Sequence, residues 1–408
     1  MNNQKRFFLI ITAVLVLVAT VLVIVSAIIT FLFIRWPLSS DEAISESTAL
    51  SMAAPQHWDD LYSLSISSKI LQWLEDFMRD ERGAYNFNAN CGYDEHGQVI
   101  CDGRRSSNRT GAVVMWANHR YWQKTLDTRE LGRIAAALEI YSNRDVVQSI
   151  ETDDLGCFYL LPLIFDENLS QTMREQAADI CLRTSYEAPT HPSTFADSEP
   201  DTYKHQSYNL IANIISGANN PLEPLNLSLP ELTFMSMQNN PNSSTPHDLV
   251  TPTPAWADFA ADLASQYQVG RSPAILEIAY YYLSGALAVY VENPNNLDVK
   301  CPLILASQQF CQIANDNINP SCHLARFLIS HVEQAIEEPN LNLRTAAKCA
   351  ISTPALQDRF LSKMKVHYNS TENSHFQPFD NFWLLNDSGS ASKSVITNAL
   401  FAGLLVSK

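Results

Sequence analysis

The chain has 408 residues, with 27 basic and 43 acidic side chains, 46% apolar content and a net charge of -16. That length holds one large core or two smaller ones, and so much aliphatic content with only 17% charged residues excludes global disorder. The acidity argues against nucleic acid, because neutralising phosphates takes clustered Lys and Arg, and it disfavours an anionic membrane surface.

Phe7 to Ile34 is a run of 28 residues without a charge. At about 1.5 Å per residue it reaches ~42 Å, enough to cross a ~30 Å hydrocarbon core with tilt. The run exceeds the roughly 7–15 apolar residues of a cleaved signal peptide. Lys5 and Arg6 precede it, and Asp41, Glu42 and Glu46 follow soon after Arg35. The positive-inside rule then places the N-terminus in the cytoplasm and the rest of the chain outside. The expected organisation is a cytoplasmic stub and transmembrane signal-anchor over 1–35, a tether over 36–57 and an extracytoplasmic helical domain over 58–408. The lipid bilayer is the expected partner of residues 7–34. Beyond the anchor lie 24 of the 27 bases and all 43 acids.

All eight cysteines also lie beyond the anchor. An even number in an oxidising compartment suggests disulfides, and loop closure favours near neighbours. Cys91–Cys101 and Cys157–Cys181 are the expected pairs, with Cys301, Cys311, Cys322 and Cys349 left open. No Cys-x-x-Cys or close Cys/His quartet occurs, so no metal and no cofactor are expected.

From Trp58 onward the dominant pattern is helical. Leu131, Ile134, Ala135, Leu138 and Tyr141 follow a 3.6-residue period behind Asp127, with Glu130 placed for a capping box. Ser272-Pro273 and Thr353-Pro354 each put a capping residue before a proline. The periodicity predicts about twelve helices, over 59–78, 112–124, 128–142, 157–165, 171–185, 204–216, 255–268, 273–291, 302–315, 321–337, 354–367 and 392–407. Short connections make neighbours antiparallel pairs. Strand signal is sparse, its best case being a hairpin over Cys91–Cys101. Residues 219–254, rich in Pro, Asn and Ser, read as a long surface loop.

Twelve helices in pairs resemble the six-hairpin (α/α)6 toroid superfamily. Gly83-Ala84-Tyr85-Asn86-Phe87, followed by Thr110-Gly111-Ala112 and the helix of Trp116, is similar to that family's helix, Gly-x-aromatic loop and helix. Thr125-Leu126-Asp127 is similar to its short Thr-Gly-Asp turn, with Leu126 in place of Gly. Asn398 to Leu405 resembles a closing toroid helix. The resemblance implies an all-α toroid after one transmembrane helix, and carbohydrate chemistry as the expected activity. It carries over no catalytic residue.

No Gly-x-Ser-x-Gly elbow, His-Glu-x-x-His, phosphate loop, Gly-x-Gly-x-x-Gly or EF-hand loop is present. Paired-carboxylate chemistry stays open, because its two acids sit on separate elements and leave no spacing to read. Asp154 lies before the Cys157 helix, where helix-dipole stabilisation is the simpler role. Asp201, Tyr203 and His205 stand at a loop-to-helix junction, where capping competes with chemistry. Trp116 and His119 share a helical face suited to stacking on a sugar, although core packing is commoner for Trp. Asp380 and Trp383 belong to an aromatic, acidic loop before the last helix. The expected catalytic residues are Asp201, Asp380 and Asp154, and the expected substrate contacts are Trp116, His119, Tyr203, His205 and Trp383. Two functions compete: a membrane-anchored carbohydrate-active hydrolase or lyase, and a non-catalytic surface protein that binds a glycan or a protein.

Overall fold

The computed structural model describes residues 59–93, 99–143, 156–186, 202–217, 234–235, 249–250, 252–314, 319–335, 342–370 and 392–407. The chain divides into two units, 1–57 and 58–408. The first unit, with the expected membrane span at 7–34 and the tether, lies outside the described residues. The second is mainly helical. Its elements are α1 (Asp60–Phe77), β1 (Asn86–Tyr93), β2 (Val99–Ser106), α2 (Asn108–Thr125), α3 (Thr128–Ser142), α4 (Cys157–Ile164), α5 (Gln171–Tyr186) and α6 (Thr202–Ser216). There follow β3 (Phe234–Met235), β4 (Leu249–Val250), α7 (Ala255–Gly270), α8 (Pro273–Glu292), α9 (Leu297–Ala314), α10 (Pro320–Ala335), α11 (Leu343–Ser352), α12 (Gln357–Ser370), β5 (Ser392–Ser394) and α13 (Val395–Leu405).

Six of these helices pack in a closed cycle. α2 lies on α4, α4 on α7, α7 on α9, α9 on α11, α11 on α13, and α13 returns to α2. The others back this ring: α3 on α2, α5 on α4, α8 on α7, α10 on α9, α12 on α11 and α1 on α13. α6 is an addition that lies against α8 and α10. The ring helices run in one direction, since the first turn of each meets the N-terminal half of its neighbour. The Phe158 amide of α4 donates to Asp262 of α7 at 2.8 Å, and the Thr345 hydroxyl of α11 donates to Asp298 of α9. The starts of α2 and α13 are joined by a three-stranded antiparallel sheet of order β2-β1-β5.

Local chemistry sets the helix starts. Asp59, Ser107, Asn342 and Ser394 each accept a backbone N–H from the first turn of α1, α2, α11 and α13, satisfying donors that otherwise have no partner. Asp127 caps α3 through the Arg129 amide. The reciprocal half of the expected capping box is absent, because Glu130 turns to Arg133 and the Asp127 amide donates to the Thr125 hydroxyl. The Leu126 backbone occupies the left-handed region at φ 56°, the conformation for which the resembling turn carries glycine.

Three sequence expectations need correction. A helix at 343–352 went unforeseen, because its ten residues hold small side chains and little periodic bulk. α9 begins at Leu297 rather than at Pro302, so that proline is inside the helix instead of opening it. Residues 392–394 form a strand that pairs with β1 before α13 begins. The hairpin is longer than expected, and its register sets Cys91 opposite Cys101. Of the 219–254 segment, β3, β4 and residues 252–254 are described, the two strands forming a short antiparallel ladder. Thr353-Pro354 opens a 3₁₀ turn ahead of α12.

Disulfides join helices that already pack: Cys157–Cys181 ties α4 to α5, Cys301–Cys349 ties α9 to α11, and Cys311–Cys322 ties α9 to α10. Among the described residues only α8 is long and apolar enough to cross a membrane. It lies against α7 and α6 with its tyrosines packed into the core, as a core helix does.

The core is close-packed where ring helices touch. A Cβ on Gly403 of α13 would stand 2.3 Å from the Trp116 ring of α2, so glycine is what lets α13 close the ring against α2. Gly403→Ala is expected to destabilise the protein by about 1–3 kcal/mol, as overpacking does. Chemical denaturation followed by circular dichroism measures this, and an unchanged midpoint would show that the closure tolerates a methyl group.

Candidate functional site

Ionisable groups from alternate members of the ring meet at the end where its helices start. Arg109 is the second residue of α2, Asp258 the fourth of α7 and Lys348 the sixth of α11. Lys348 Nζ lies 2.5 Å from Asp258 Oδ2, and Arg109 Nη2 lies 3.2 Å from the same oxygen. None of these three helices is a direct neighbour of another in the cycle, so Asp258 links them across the middle of the ring. Arg344, one turn before Lys348 on α11, acts on both Asp258 and Lys348. Asp262, one turn after Asp258, accepts the Phe158 amide, and Tyr159 of α4 feels Arg109, Asp258, Asp262 and Arg344.

The electrostatics follow from this crowding. Burial pushes the Asp258 carboxyl up, but Lys348 and Arg109 outweigh it and hold the group well below the usual carboxylate range. Burial lowers the Lys348 ammonium against the pull of Asp258. Burial pushes the Tyr159 phenol up to about 12, so it stays a neutral hydroxyl among charges. Three cations, Arg109, Arg344 and Lys348, face two carboxylates, Asp258 and Asp262. The first turns of the ring helices add the positive ends of their dipoles to the same place. The centre therefore favours an anion. Its side chains are not sealed: Arg109, Asp258 and Lys348 keep 9%, 13% and 13% of their side-chain surface.

The expected substrate contacts divide among different places. Trp116 is buried in the ring, edge-on to Tyr159 with centroids 6.0 Å apart and with the Arg120 guanidinium over its face. It packs against a member of the charge cluster rather than presenting a free stacking face. His119 is fully buried two-thirds of the way along α2, and its Nε2–H donates to Asp166 at 2.8 Å. Burial lowers its pKa despite Asp166, which keeps the imidazole neutral. Burial raises Asp166, but the Asn168 amide, His119 and Gln123 together bring it down to about 2. This pair clamps α2 to the α4–α5 turn. Tyr203 is half-buried on α6, where its amide donates to Glu277 and its ring meets Tyr281 edge-on at 4.9 Å. His205 on the same helix is exposed. Asp154, Asp201, Asp380 and Trp383 lie outside the described residues.

Sequence reasoning missed Arg109, Asp258, Asp262, Arg344 and Lys348. One signal was present. Asp258, Asp262, Ser265 and Gln266 make a polar stripe at helical spacing beside the apolar stripe of Trp256, Phe259, Ala260 and Leu263. A helix with two such stripes faces two different interiors. Among the described residues no group of three or more His, Cys, Asp or Glu side chains is arranged to hold a metal ion.

Removing the negative partner isolates the cations. Asp258→Asn is expected to cost about 3–5 kcal/mol, as breaking a buried pair does. Because the folded-state carboxyl titrates below its unfolded value, its contribution is complete above the unfolded carboxylate range, about pH 4, and is lost as pH falls below that. The acid limb of stability against pH should therefore be shallower in Asp258→Asn than in the native protein; parallel limbs would show that Asp258 does not carry it. Comparison with family models, with curated proteins and with solved structures finds no match to this chain, so the chemistry of the cluster has to carry the functional reading.

Proposed function

We propose that the chain is a membrane-anchored, extracytoplasmic carbohydrate-active protein on an (α/α)6 toroid, and that it binds an anionic glycan where the ring helices start. The closed cycle of six helices, each backed by another, supports the toroid. The uncharged run at 7–34, with bases before it and acids after it, supports the anchor and the outward orientation. The observation that carries the ligand class is the cation excess of Arg109, Arg344 and Lys348 over Asp258 and Asp262. Carboxylated sugars offer a charge for these cations and hydroxyls for the neutral Tyr159.

Binding is the activity this arrangement supports most directly. Hydrolysis through paired carboxylates needs one acid that is protonated near neutral pH. Asp258 is held ionised by Lys348 and Arg109 and is poorly suited to that part. The non-catalytic reading is therefore the one favoured.

Titration calorimetry of the full-length protein in detergent micelles, with uronate oligosaccharides and their neutral counterparts, tests this. The uronate should bind at least tenfold tighter, and the paired substitution Arg344→Gln with Lys348→Met, which leaves one cation against two carboxylates, should abolish the preference. Equal affinity for the neutral sugar, or a preference unchanged in the double variant, overturns the ligand assignment. Release of an unsaturated or reducing end during the titration overturns the non-catalytic reading instead.

A further inference from the structure

Large apolar side chains with high exposure are normally scattered. Here Leu61 is 78% exposed, Leu126 70% and Phe165 59%, and these three share one end of the helical domain. Leu126 is the C-cap of α2 and Phe165 the C-cap of α4. Both ring helices run the same way, and Asp166 holds their ends together by accepting from His119 and Gln123 of α2. Leu61 is the second residue of α1, which lies antiparallel to α13. The end of α1 reaches the sheet that starts α13, where the Asn86 amide donates to the Met78 carbonyl, and midway the Ser67 hydroxyl donates to the Ala402 carbonyl. The start of α1 therefore lies beside the finish of α13, at the end where α2 and α4 also finish.

Leu126 is the most informative of the three. Its φ of 56° is a conformation that glycine adopts freely and a leucine does not. It is also exposed, so neither backbone preference nor burial accounts for a leucine there. A large apolar side chain held in an unfavourable conformation and turned to the outside needs a partner outside the domain.

We propose that this end of the domain lies on the surface of a zwitterionic bilayer, with Leu61, Leu126 and Phe165 entering the boundary between headgroups and acyl chains. The inference rests on the reading of residues 7–34 as a bilayer anchor. Two observations select the bilayer as occupant. The chain enters the domain at this end, at the Asp59 cap of α1, after the uncharged run and 24 intervening residues. That many residues span as much as roughly 80 Å when extended, so the connection alone imposes no face, and the apolar side chains do the selecting. Charge selects the lipid. Asp59, Asp60, Asp127, Asp166 and Glu167 outnumber Lys124 and Arg129 nearby, which opposes an anionic surface and suits a neutral headgroup. The Arg109–Asp258–Lys348 centre, at the opposite end of the ring helices, then faces away from the membrane.

The test uses the full chain in phosphatidylcholine vesicles that carry a diazirine on the acyl chain, with cross-linked peptides identified by mass spectrometry. Label is expected on the peptides of Leu61, Leu126 and Phe165 and on 7–34. In the triple variant Leu61→Ser, Leu126→Gly, Phe165→Ser, label on the three domain peptides should fall at least fivefold while that on 7–34 persists. Label on 7–34 with none on the domain peptides of the native chain overturns the inference and leaves the anchor standing. No label on 7–34 overturns the anchor reading and the inference with it. Leu126→Gly alone should melt no lower than the native protein; a lower midpoint would show that Leu126 serves the fold and would overturn its part in the proposal.

Discussion

One carboxylate oxygen joins three helices that are not neighbours in the ring. Asp258 Oδ2 receives Lys348 from α11 and Arg109 from α2 while standing on α7. Those are every second member of the cycle, so their relative rotation and height are fixed through one point. Neighbour packing and the Cys301–Cys349 link constrain adjacent helices, while the charge pair constrains helices that are not adjacent. A charge pair across the ring opposes sliding, because a one-turn slip of about 5.4 Å would leave a buried charge alone. Apolar replacements of similar volume often stabilise a protein more than a buried ion pair does. The pair is better explained by the register it imposes and by the polar centre it leaves.

The rest of the described structure is consistent with that centre. Gly156 brings the start of α4 against α2, where a Cβ would come within 3.1 Å of the Arg109 backbone. Cys349 is the sequence neighbour of Lys348, and its disulfide with Cys301 binds α9 to α11. The sheet holds the starts of α2 and α13 at the same level. Fastening occurs at both ends of the ring helices. At the other end the Cys311–Cys322 disulfide ties the finish of α9 to α10, and a hydrogen-bonded clamp on Asp166 joins α2 to the α4–α5 turn. The two ends thus differ in chemistry as well as direction: one is charged and inward-facing, the other carries isolated apolar side chains that face outward.

Much of the helical content could be read from periodicity, because amphipathic stripes such as Ile134, Ala137, Leu138 and Tyr141 are set by which face meets the core. The exceptions share a cause. α11 buries Ala346, Ala347, Cys349 and Ala350, side chains too small to mark a stripe. Pro302 read as a helix start because proline is favoured there, yet packing holds it inside α9. The charge cluster was less legible still. Its members are 149 residues apart from Arg109 to Asp258 and 90 more to Lys348, and no spacing rule connects positions that only a closed ring brings together. Trp116 drew notice as an aromatic on a helix, and it does lie beside Tyr159, but its ring is spent on packing.

The acidity of the chain takes on a different meaning beside a cationic centre. Charges separated by more than a Debye length, about 8 Å at physiological salt, hardly interact, so the acidic exterior and the largely enclosed Arg109 and Lys348 act on a ligand at different distances. An anionic polymer approaching from solution meets like charge first. Only a group that enters far enough to reach the narrow exposed edges of Lys348 and Arg109 gains opposite charge, in a medium where that attraction is less screened. The same division explains why so acidic a protein can keep a basic centre: Arg109 and Lys348 are both held against Asp258 of α7.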